Sequence, residues 1–346
     1  MQSLRPTRPL LVILLLTFAV FAPSLANGFA MDDAPLAQSV DQEQQPDEII
    51  AGMRAPWWYF GQRYWAGVDN YSALYRPVTV FSFALVYNWV GAWLPVDWEA
   101  FPQHLANVLL HCLAVFLVWW MLRDLGLGEL AALLGSGLFA FHAIHSEVVA
   151  GIVGRAELLS FCLGLWGTLL FARGGKLRAG ILFFLAFCSK ESGLAWAPFL
   201  PCYLWARQRL LGGSGLWPTH GRDILRVLGV TLVAFFVLRW IGLRDLREGN
   251  PYSYAQNPLA HVELAPRLLT AVKLLGYGLQ KCVAPFWLYC LYGPGAIQVV
   301  ESTADPGFLV AFSILLIWLL AGLVLARRLP LLFLSAAAFL GFSFIT

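Results

Sequence analysis

The sequence predicts an all-α protein that crosses a membrane several times. Of its 346 residues, 59% are hydrophobic, 15% are aromatic and only 12% are charged, whereas a soluble domain carries about 25% charged residues. Since a spanning helix needs about 20 apolar residues, the chain has room for roughly 8–11 such helices. An ordinary soluble protein is excluded. The net charge of +3 is small and dispersed, which argues against a nucleic-acid partner.

Residues 1–27 contain the first predicted spanning helix. An apolar run over 9–26 follows Arg5 and Arg8, so the positive-inside rule places the N-terminus in the cytoplasm and the next residues outside. Ser24-Leu25-Ala26 also resembles a signal-peptidase site. This segment is either a signal anchor or a cleaved signal peptide, and both alternatives give the chain the same orientation.

Residues 28–103 are the least hydrophobic part of the chain and form the predicted first outward loop. The segment 77–94 is apolar enough to span, but Trp89, Trp93 and Pro95 near its end also suit a helix at the membrane interface. Charge counting favours the interfacial position. The loop opens with six acidic residues, Asp32, Asp33, Asp41, Glu43, Asp47 and Glu48.

Residues 104–346 form the predicted multi-helix membrane domain. One assignment of the spanning segments places most of its basic clusters in the cytoplasm. This topology predicts that Lys176 faces inside and that Asp32, His145, Lys190 and Asn257 face outside. Residues 263–285 have helical spacing of apolar positions interrupted by Lys and Arg, typical of an amphipathic helix or a weakly hydrophobic span. The predicted membrane segments are 104–122, 129–145, 157–172, 179–189, 193–206, 227–242, 308–326 and 329–346.

The six cysteines give little information about cofactors or folding. They have no CxxC spacing, and most lie in apolar stretches where cysteine packs as a small hydrophobe. Cys282 and Cys290 are the one pair that we consider for a disulfide. The chain ends at Ile345-Thr346 within an apolar segment, so truncation at the C-terminus is an open alternative.

Asp32 and Asp33 are the first candidate site residues. They lie a few residues beyond the first span, which holds a carboxylate near the outer leaflet. A general base for a hydroxyl acceptor requires a carboxylate or histidine in such a position. The alternative interpretation is a pair of solvated loop acids.

A second cluster of ionisable residues follows the segment 129–145. His142 and His145 share a face if that helix continues, and Glu147, Arg155 and Glu157 follow closely. The histidines and Glu147 could hold a divalent metal, although the pattern is not HExxH. Arg155 is a natural partner of phosphate, or else a surface ion-pair partner of a glutamate.

A third cluster, Ser189-Lys190-Glu191-Ser192, separates two short apolar segments. Its lysine and glutamate form either a structural ion pair or a place where an ammonium group meets a bound phosphate. His104 and His111 share a face of the 104–122 helix, and helix packing is the expected role of His111.

These features are those required to transfer a sugar from a polyprenyl-phosphate donor to a hydroxyl. Such an enzyme needs an outward carboxylate, cations that hold the leaving phosphate, and an apolar surface for the lipid. Charges within a spanning segment cost about 2.5–3.5 kcal/mol and are functional candidates for that reason. No Walker loop or strand-linked GxGxxG occurs, so a nucleotide-driven pump or a dehydrogenase is unsupported.

Six motifs occur in a fixed order along the chain. They are Asp32-Asp33-Ala34-Pro35, Tyr75-Arg76-Pro77-Val78-Thr79, His104 to His111, His142 to Glu147, Gly151 to Ser160, and Ser189-Lys190-Glu191. This ordered set resembles the transmembrane and tetratricopeptide-repeat O-mannosyltransferases, the TMTC family. A further stretch is also similar to that family, and it comprises Asn257-Pro258-Leu259-Ala260, Arg267-Leu268-Leu269-Thr270 and Lys273-Leu274-Leu275-Gly276.

The resemblance implies a GT-C glycosyltransferase fold and an inverting transferase with its site in the first outward loop. By position, Asp32 becomes the catalytic base, with Asp33 supporting it. Arg76, Arg155 and Lys190 become candidates for binding the donor phosphate. The remaining candidates are His142, His145 and Glu147, which shape the site or hold a metal, and His104, Glu157 and Glu191 beside them.

The resemblance implies a polyprenyl- or dolichyl-phosphate sugar as donor and a protein Ser/Thr, a glycan or a lipid as hydroxyl acceptor. No cofactor is required by the sequence, and a divalent metal is an open alternative. The tetratricopeptide array of the family does not occur in these residues, so a lipid-phosphate-sugar carrier and an inactive truncated transferase are alternatives. The expected location is the plasma membrane in a bacterium or the endoplasmic reticulum in a eukaryote.

Overall fold

Apolar α-helices dominate the computed structural model of the protein, which describes residues 7–37, 50, 53–64, 73–212, 216–244, 258–289 and 298–345. No β-strand occurs in these ranges, and the all-α polytopic class is confirmed. The chain folds into two compact units. Unit 1 comprises Met1–Arg247 with Ile345–Thr346, and unit 2 comprises Glu248–Phe344.

Unit 1 contains eleven α-helices within its described residues. Several short 3-10 helices connect them, including Ala22–Ala26, Ile152–Gly154 and Glu191–Ala195. The α-helices are α1 (Arg8–Phe21), α2 (Asp33–Ala37), α3 (Pro56–Tyr59), α4 (Pro77–Trp89), α5 (Ala100–Asp124), α6 (Glu129–Ala140), α7 (His145–Ala150), α8 (Arg155–Ala172), α9 (Lys176–Phe187), α10 (Trp196–Leu211) and α11 (Leu216–Gly242).

Within the described ranges, five helical segments are long and apolar enough to cross a membrane. Two shorter apolar helices, Glu129–Ala140 and Pro330–Ser343, accompany them. The total number of spans therefore stays a prediction. The five segments are Arg8–Ala26, Val96–Asp124, Ile152–Ala172, His220–Gly242 and Pro306–Val324.

Helices α5 and α8 run in the same direction and define two ends of unit 1. At their N-terminal ends, the Arg155 side chain bonds Gln103. At their C-terminal ends, Arg173 forms an ion pair with Asp124 at 3.2 Å. Helix α6 runs the opposite way, since the Ala140 carbonyl lies 3.1 Å from a ring nitrogen of His111. We call the end with Arg155 the outer end and the end with Asp124 the inner end, following the predicted orientation.

A polar cluster closes the inner end. The buried Asp124 carboxylate accepts hydrogen bonds from the Tyr203 hydroxyl at 2.8 Å and from Arg207 at 2.7 Å, besides its ion pair with Arg173. A carboxylate in a low-dielectric interior requires such partners. The sequence did not single out this cluster, because its three helices are far apart along the chain.

Helix α4 lies at the outer end. Its 13 residues span about 20 Å, less than the roughly 30 Å of hydrocarbon in a bilayer. Near its start, the Thr79 hydroxyl donates to the Ser189 carbonyl, and near its end Asn88 donates to the Ile50 carbonyl. This short helix suits the interfacial position that the sequence favoured. The side chains of Trp89, Trp93 and Trp98 are 60–83% exposed, as expected for an aromatic belt.

One helix prediction was wrong. The segment 129–145 is not one continuous helix, because α6 ends at Ala140. A turn follows before α7, and in this turn the His145 amide donates a hydrogen bond to the His142 carbonyl at 3.1 Å. The acidic residues 41–48 and Asn257 lie outside the described residues, as does Cys290 of the considered disulfide.

Unit 2 contains α12 (Leu264–Val283), α13 (Pro306–Val324) and α14 (Pro330–Ile345) among its described residues. Helix α12 packs on α13 through a close contact, where a Cβ on Gly276 would lie 2.4 Å from the Ala311 side chain. The Asp305 carboxylate caps α13 by accepting from the Phe308 amide at 2.7 Å. The helical expectation for 263–285 is confirmed by α12.

Candidate functional site

Asp32 lies in a tight turn, where Met31 has a φ of 49°, and Asp33 is the first residue of α2. The Asp33 side chain is buried and accepts hydrogen bonds from the Val153 amide at 2.9 Å and the Ala30 amide at 3.3 Å. Asp32 is exposed. The two acids are therefore distinct: Asp33 fastens the turn to the segment before α8, and Asp32 is presented at the surface.

Arg76 lies at the start of α4 and binds Glu191. Its Nε donates to Glu191 Oε2 at 2.8 Å, while Oε1 of the same carboxylate accepts from the Tyr75 amide at 3.0 Å. Burial is the largest single effect and works to lower the pKa of Arg76, but Glu191, Tyr64 and Glu157 together outweigh it and raise that pKa above its ordinary value. Arg76 therefore remains a cation at any physiological pH.

Lys190 forms a second ion pair, with Glu157 at the start of α8. The Lys190 side chain is 17% exposed and that of Glu157 is 39% exposed. Glu147 lies within electrostatic range of both, since its pKa is raised first by burial and then by Glu157, and is lowered by Lys190. A third cation, Arg239, lies 3.8 Å from Glu191 Oε1, so cations and glutamates alternate at this part of the outer end.

Tyr64 lies beneath Arg76 and within electrostatic range of Asp32. The guanidinium carbon of Arg76 lies 4.8 Å from the centre of the buried Tyr64 ring. Burial raises the pKa of the Tyr64 hydroxyl, and the charges of Glu157 and Asp32 add to this increase while Arg76 opposes it. Asp32 is therefore electrostatically coupled to the phenol beneath Arg76. Tyr64 was not predicted from the sequence, since nothing distinguishes it there from other aromatic residues of the loop.

Arg155 is placed differently from the expectation for a phosphate ligand. It is 1% exposed, and its guanidinium donates to Asn107 Oδ1 at 2.8 Å, to Gln103 Oε1 at 2.7 Å and to the Gln103 carbonyl. It also lies over the Phe83 ring at 4.9 Å. These contacts join α8 to α4 and α5, so the geometry favours a positioning role over direct contact with a donor.

The histidines form a packed group beside the site. The His145 and Phe139 rings pack in a tilted arrangement with their centres 4.4 Å apart. The centre of the His145 ring lies 5.2 Å from that of His111 and 6.1 Å from that of His142. Burial first, and then the two neighbouring histidines, lower the pKa of His145 to about 4. His104 is buried and its Nε2 lies 3.4 Å from the Gly28 carbonyl. His145 is therefore neutral near pH 7.

A metal at His142, His145 and Glu147 finds no support in the geometry. Across the part of the chain that the structure describes, no group of three or more His, Cys, Asp or Glu side chains is arranged to hold a metal ion. Aromatic packing accounts for the contacts of His145.

Comparison with family models finds no match, and no solved structure matches the chain. Among curated proteins, "Protein O-mannosyl-transferase Tmtc2" of Drosophila melanogaster is 30% identical over 311 residues, which cover 84% of this chain and 31% of that protein. "Protein O-mannosyl-transferase TMTC3" of Homo sapiens is 28% identical over 263 residues, covering 69% of this chain and 28% of that protein.

The chain is related to the TMTC protein O-mannosyl-transferases. The resemblance that the six motifs indicated is thereby confirmed over the aligned part of the chain. A shorter stretch of 148 residues is 36% identical to "Protein O-mannosyl-transferase Tmtc1" of Drosophila melanogaster, covering 42% of this chain and 16% of that protein. The chain spans about a third of the length of the first two TMTC relatives.

Proposed function

We propose that this protein is a membrane glycosyltransferase that moves a sugar from a polyprenyl-phosphate donor to a hydroxyl on the extracytoplasmic side. The observation that carries the proposal is the exposed carboxylate of Asp32, which the buried Asp33 next to it fastens at the same end of unit 1 as the paired cations Arg76 and Lys190. The TMTC relatives are named protein O-mannosyl-transferases, which supports mannose as the sugar and a protein hydroxyl as the acceptor in this proposal.

In the proposed reaction, the Asp32 carboxylate takes the proton of the acceptor hydroxyl. The hydroxyl oxygen then attacks the anomeric carbon, and the bond from that carbon to the phosphate oxygen breaks. The lipid phosphate leaves with the bonding electrons, and the configuration at the anomeric carbon is inverted. Removal of the proton as the bond forms is the contribution expected of a general base.

Arg76 and Lys190 are the proposed partners of the leaving phosphate. Each is already paired with a glutamate, Glu191 and Glu157 respectively, which keeps the cation in place before the donor arrives. A bound phosphate would share or displace these carboxylates and gain charge-assisted hydrogen bonds. Fixed cations of this kind stabilise the charge that develops on a leaving group.

An apolar cavity in unit 1 offers space for part of the donor's lipid. Its volume is about 490 Å³, and Trp57, Phe60, Phe184 and Ile241 contribute to its lining. The Phe60 carbonyl accepts from the Tyr75 hydroxyl at 2.8 Å, so the cavity wall is tied to the residue that precedes Arg76. We propose that the first isoprene units of the donor pack here.

The test compares Asp32→Asn with Asp33→Asn in membranes supplied with labelled polyprenyl-phosphate mannose. We expect D32N to reduce sugar transfer about 10²–10⁴-fold, the usual range for loss of a general base, with unchanged expression. D33N should reduce it less, since an asparagine oxygen can still accept from the Val153 amide. Asp97→Asn, at an exposed acid of the same loop, is the matched control.

Full activity of D32N would refute the base assignment. Donor binding that depends on Arg76 and Lys190, but without turnover by the unmodified protein and any hydroxyl acceptor, would instead identify a lipid-phosphate-sugar carrier.

A further inference from the structure

A second apolar groove lies between α9 and α11 and ends at the inner end of unit 1. Its cavity has a volume of about 410 Å³. Gly180 and Phe184 on α9 line it, together with Val227 and Thr231 on α11, while Lys176 and Arg226 line its inner end. The reaction proposed above does not use these two cations.

Gly180 contributes a position without a side chain to the wall of the groove. A Cβ there would lie 3.5 Å from the Val227 side chain and 3.7 Å from that of Thr231, so a longer side chain would enter the space between the helices. The Thr231 hydroxyl donates to the Val227 carbonyl of its own helix at 2.9 Å. The groove wall therefore offers a hydrocarbon chain an apolar surface.

The groove is open to the membrane on its side and has the depth of one leaflet. Leu177 and Val230, which also line it, are 80% and 71% exposed. From Arg226 to Ala234 the helix rises about 12 Å, close to the roughly 15 Å that half of a hydrocarbon core occupies. A chain that enters beside Arg226 therefore remains within the leaflet at the inner end.

The polar end of the groove is positively charged. Lys176 forms an ion pair with Asp223, and its side chain is 47% exposed. Arg178, Arg222 and Arg226 are also exposed, so four cations accompany the Asp223 carboxylate at this end. An anionic headgroup is attracted to such a cluster, by about fivefold in affinity for each cation at the surface.

We propose that this groove binds one anionic phospholipid of the cytoplasmic leaflet. Its acyl chain lies along Gly180 and Val227, and its phosphate lies between Lys176 and Arg226. The hydrocarbon chain covers the apolar wall of the groove, and the phosphate neutralises the positive charge at its inner end. The inference does not depend on sugar transfer, and its headgroup end is opposite the outer end that holds Asp32.

The test uses native mass spectrometry of the full chain with phosphatidylglycerol and with phosphatidylcholine of the same acyl length. We expect one phosphatidylglycerol to be retained in preference to phosphatidylcholine. Lys176→Gln with Arg226→Gln should lower the affinity for phosphatidylglycerol about 10–30-fold and remove the preference. Gly180→Leu should reduce retention of both lipids, because its side chain occupies the tail position.

Arg178→Gln is the matched control, since it removes an exposed cation of α9 that does not line the groove. Its effect should not exceed the roughly fivefold loss of one surface cation, well below that of the double variant. The proposal is overturned if unmodified protein retains both lipids equally, or if R178Q has the effect of the double variant. Displacement of phosphatidylglycerol by polyprenyl phosphate would also overturn it, by assigning the groove to the donor's tail. Soluble glycerophosphate should not compete, and effective competition would overturn the proposal by identifying a site for the headgroup alone.

Discussion

Neighbouring residues at the candidate site have different environments. Asp33 is 2% exposed and receives two backbone hydrogen bonds, whereas the adjacent Asp32 is exposed. Arg76 keeps part of its surface accessible at 15% exposure of its side chain, whereas Arg155 is enclosed. Burial therefore separates the groups that can contact a substrate from those that can only hold the site together.

Arg155 and Arg76 should respond differently to substitution. Arg155→Met leaves Gln103 and Asn107 without their charged partner, so we expect a loss of about 3 kcal/mol or more in the free energy of unfolding. Arg155→Lys should lower kcat while leaving the KM for the lipid donor unchanged. Arg76→Gln should raise that KM. Thermal unfolding and steady-state kinetics in detergent measure these quantities.

A rise in the donor KM for R155K, without loss of stability, would contradict the positioning role and restore Arg155 as a phosphate ligand. Arg209→Lys, an exposed arginine at the inner end of α10, is the control for nonspecific effects of arginine replacement.

The partly buried His145 side chain should make the free energy of unfolding depend on pH. Its folded pKa of about 4 lies below the ordinary 6.5, so the unfolded chain binds the proton more tightly. Stability should be complete above about pH 6.5 and should fall as the pH drops toward 4. Glu147, whose pKa is raised, acts in the opposite direction. His145→Gln should therefore flatten the decrease in the unfolding midpoint between pH 6.5 and 4, and an unchanged slope would exclude His145 as its source.

Among the helices, close contacts at glycines set how the membrane segments pack. A Cβ on Gly164 of α8 would lie 2.1 Å from Trp196 Nε1 at the start of α10, much closer than any real contact. Trp196 is 1% exposed and has T-shaped contacts with Phe161 and Phe199. Small residues permit this approach of helices in membranes.

Gly164→Ala should therefore destabilise unit 1, because Trp196 cannot withdraw from its packed position without a cost of about 1–3 kcal/mol for overpacking. Gly229→Ala on α11 is the matched control: a Cβ there meets nothing within 4 Å, so the higher helix propensity of alanine should leave stability equal or slightly greater. Equal unfolding midpoints for the two variants would contradict the packing at Gly164.

For the whole molecule, the two ends of unit 1 predict opposite sides of the membrane for Asp32 and Lys176. In a chain with Cys282 and Cys290 replaced by serine, Asp32→Cys should react with a membrane-impermeant thiol reagent in intact cells. Lys176→Cys should react only after permeabilisation. Both positions are exposed, so access is decided by the membrane. Labelling of both in intact cells would refute the one-sided site.

The sequence predicted the helices better than it predicted their ends. Apolar length and basic flanks located the spans that correspond to α5, α8, α11 and α13. The break after Ala140 was missed, because Phe141 and the residues after it are as apolar as a continuing helix.

What the sequence by itself determined is the class of protein, the arrangement of its basic clusters and the family motifs. Composition and charge position are properties of the chain alone, and they suffice for these conclusions. The tertiary structure decided which candidates are accessible: it enclosed Arg155, separated Asp32 from Asp33, added Tyr64 and revealed the buried Asp124 cluster. Burial and pairing depend on residues that lie far apart in sequence, so they are defined only once the helices have packed.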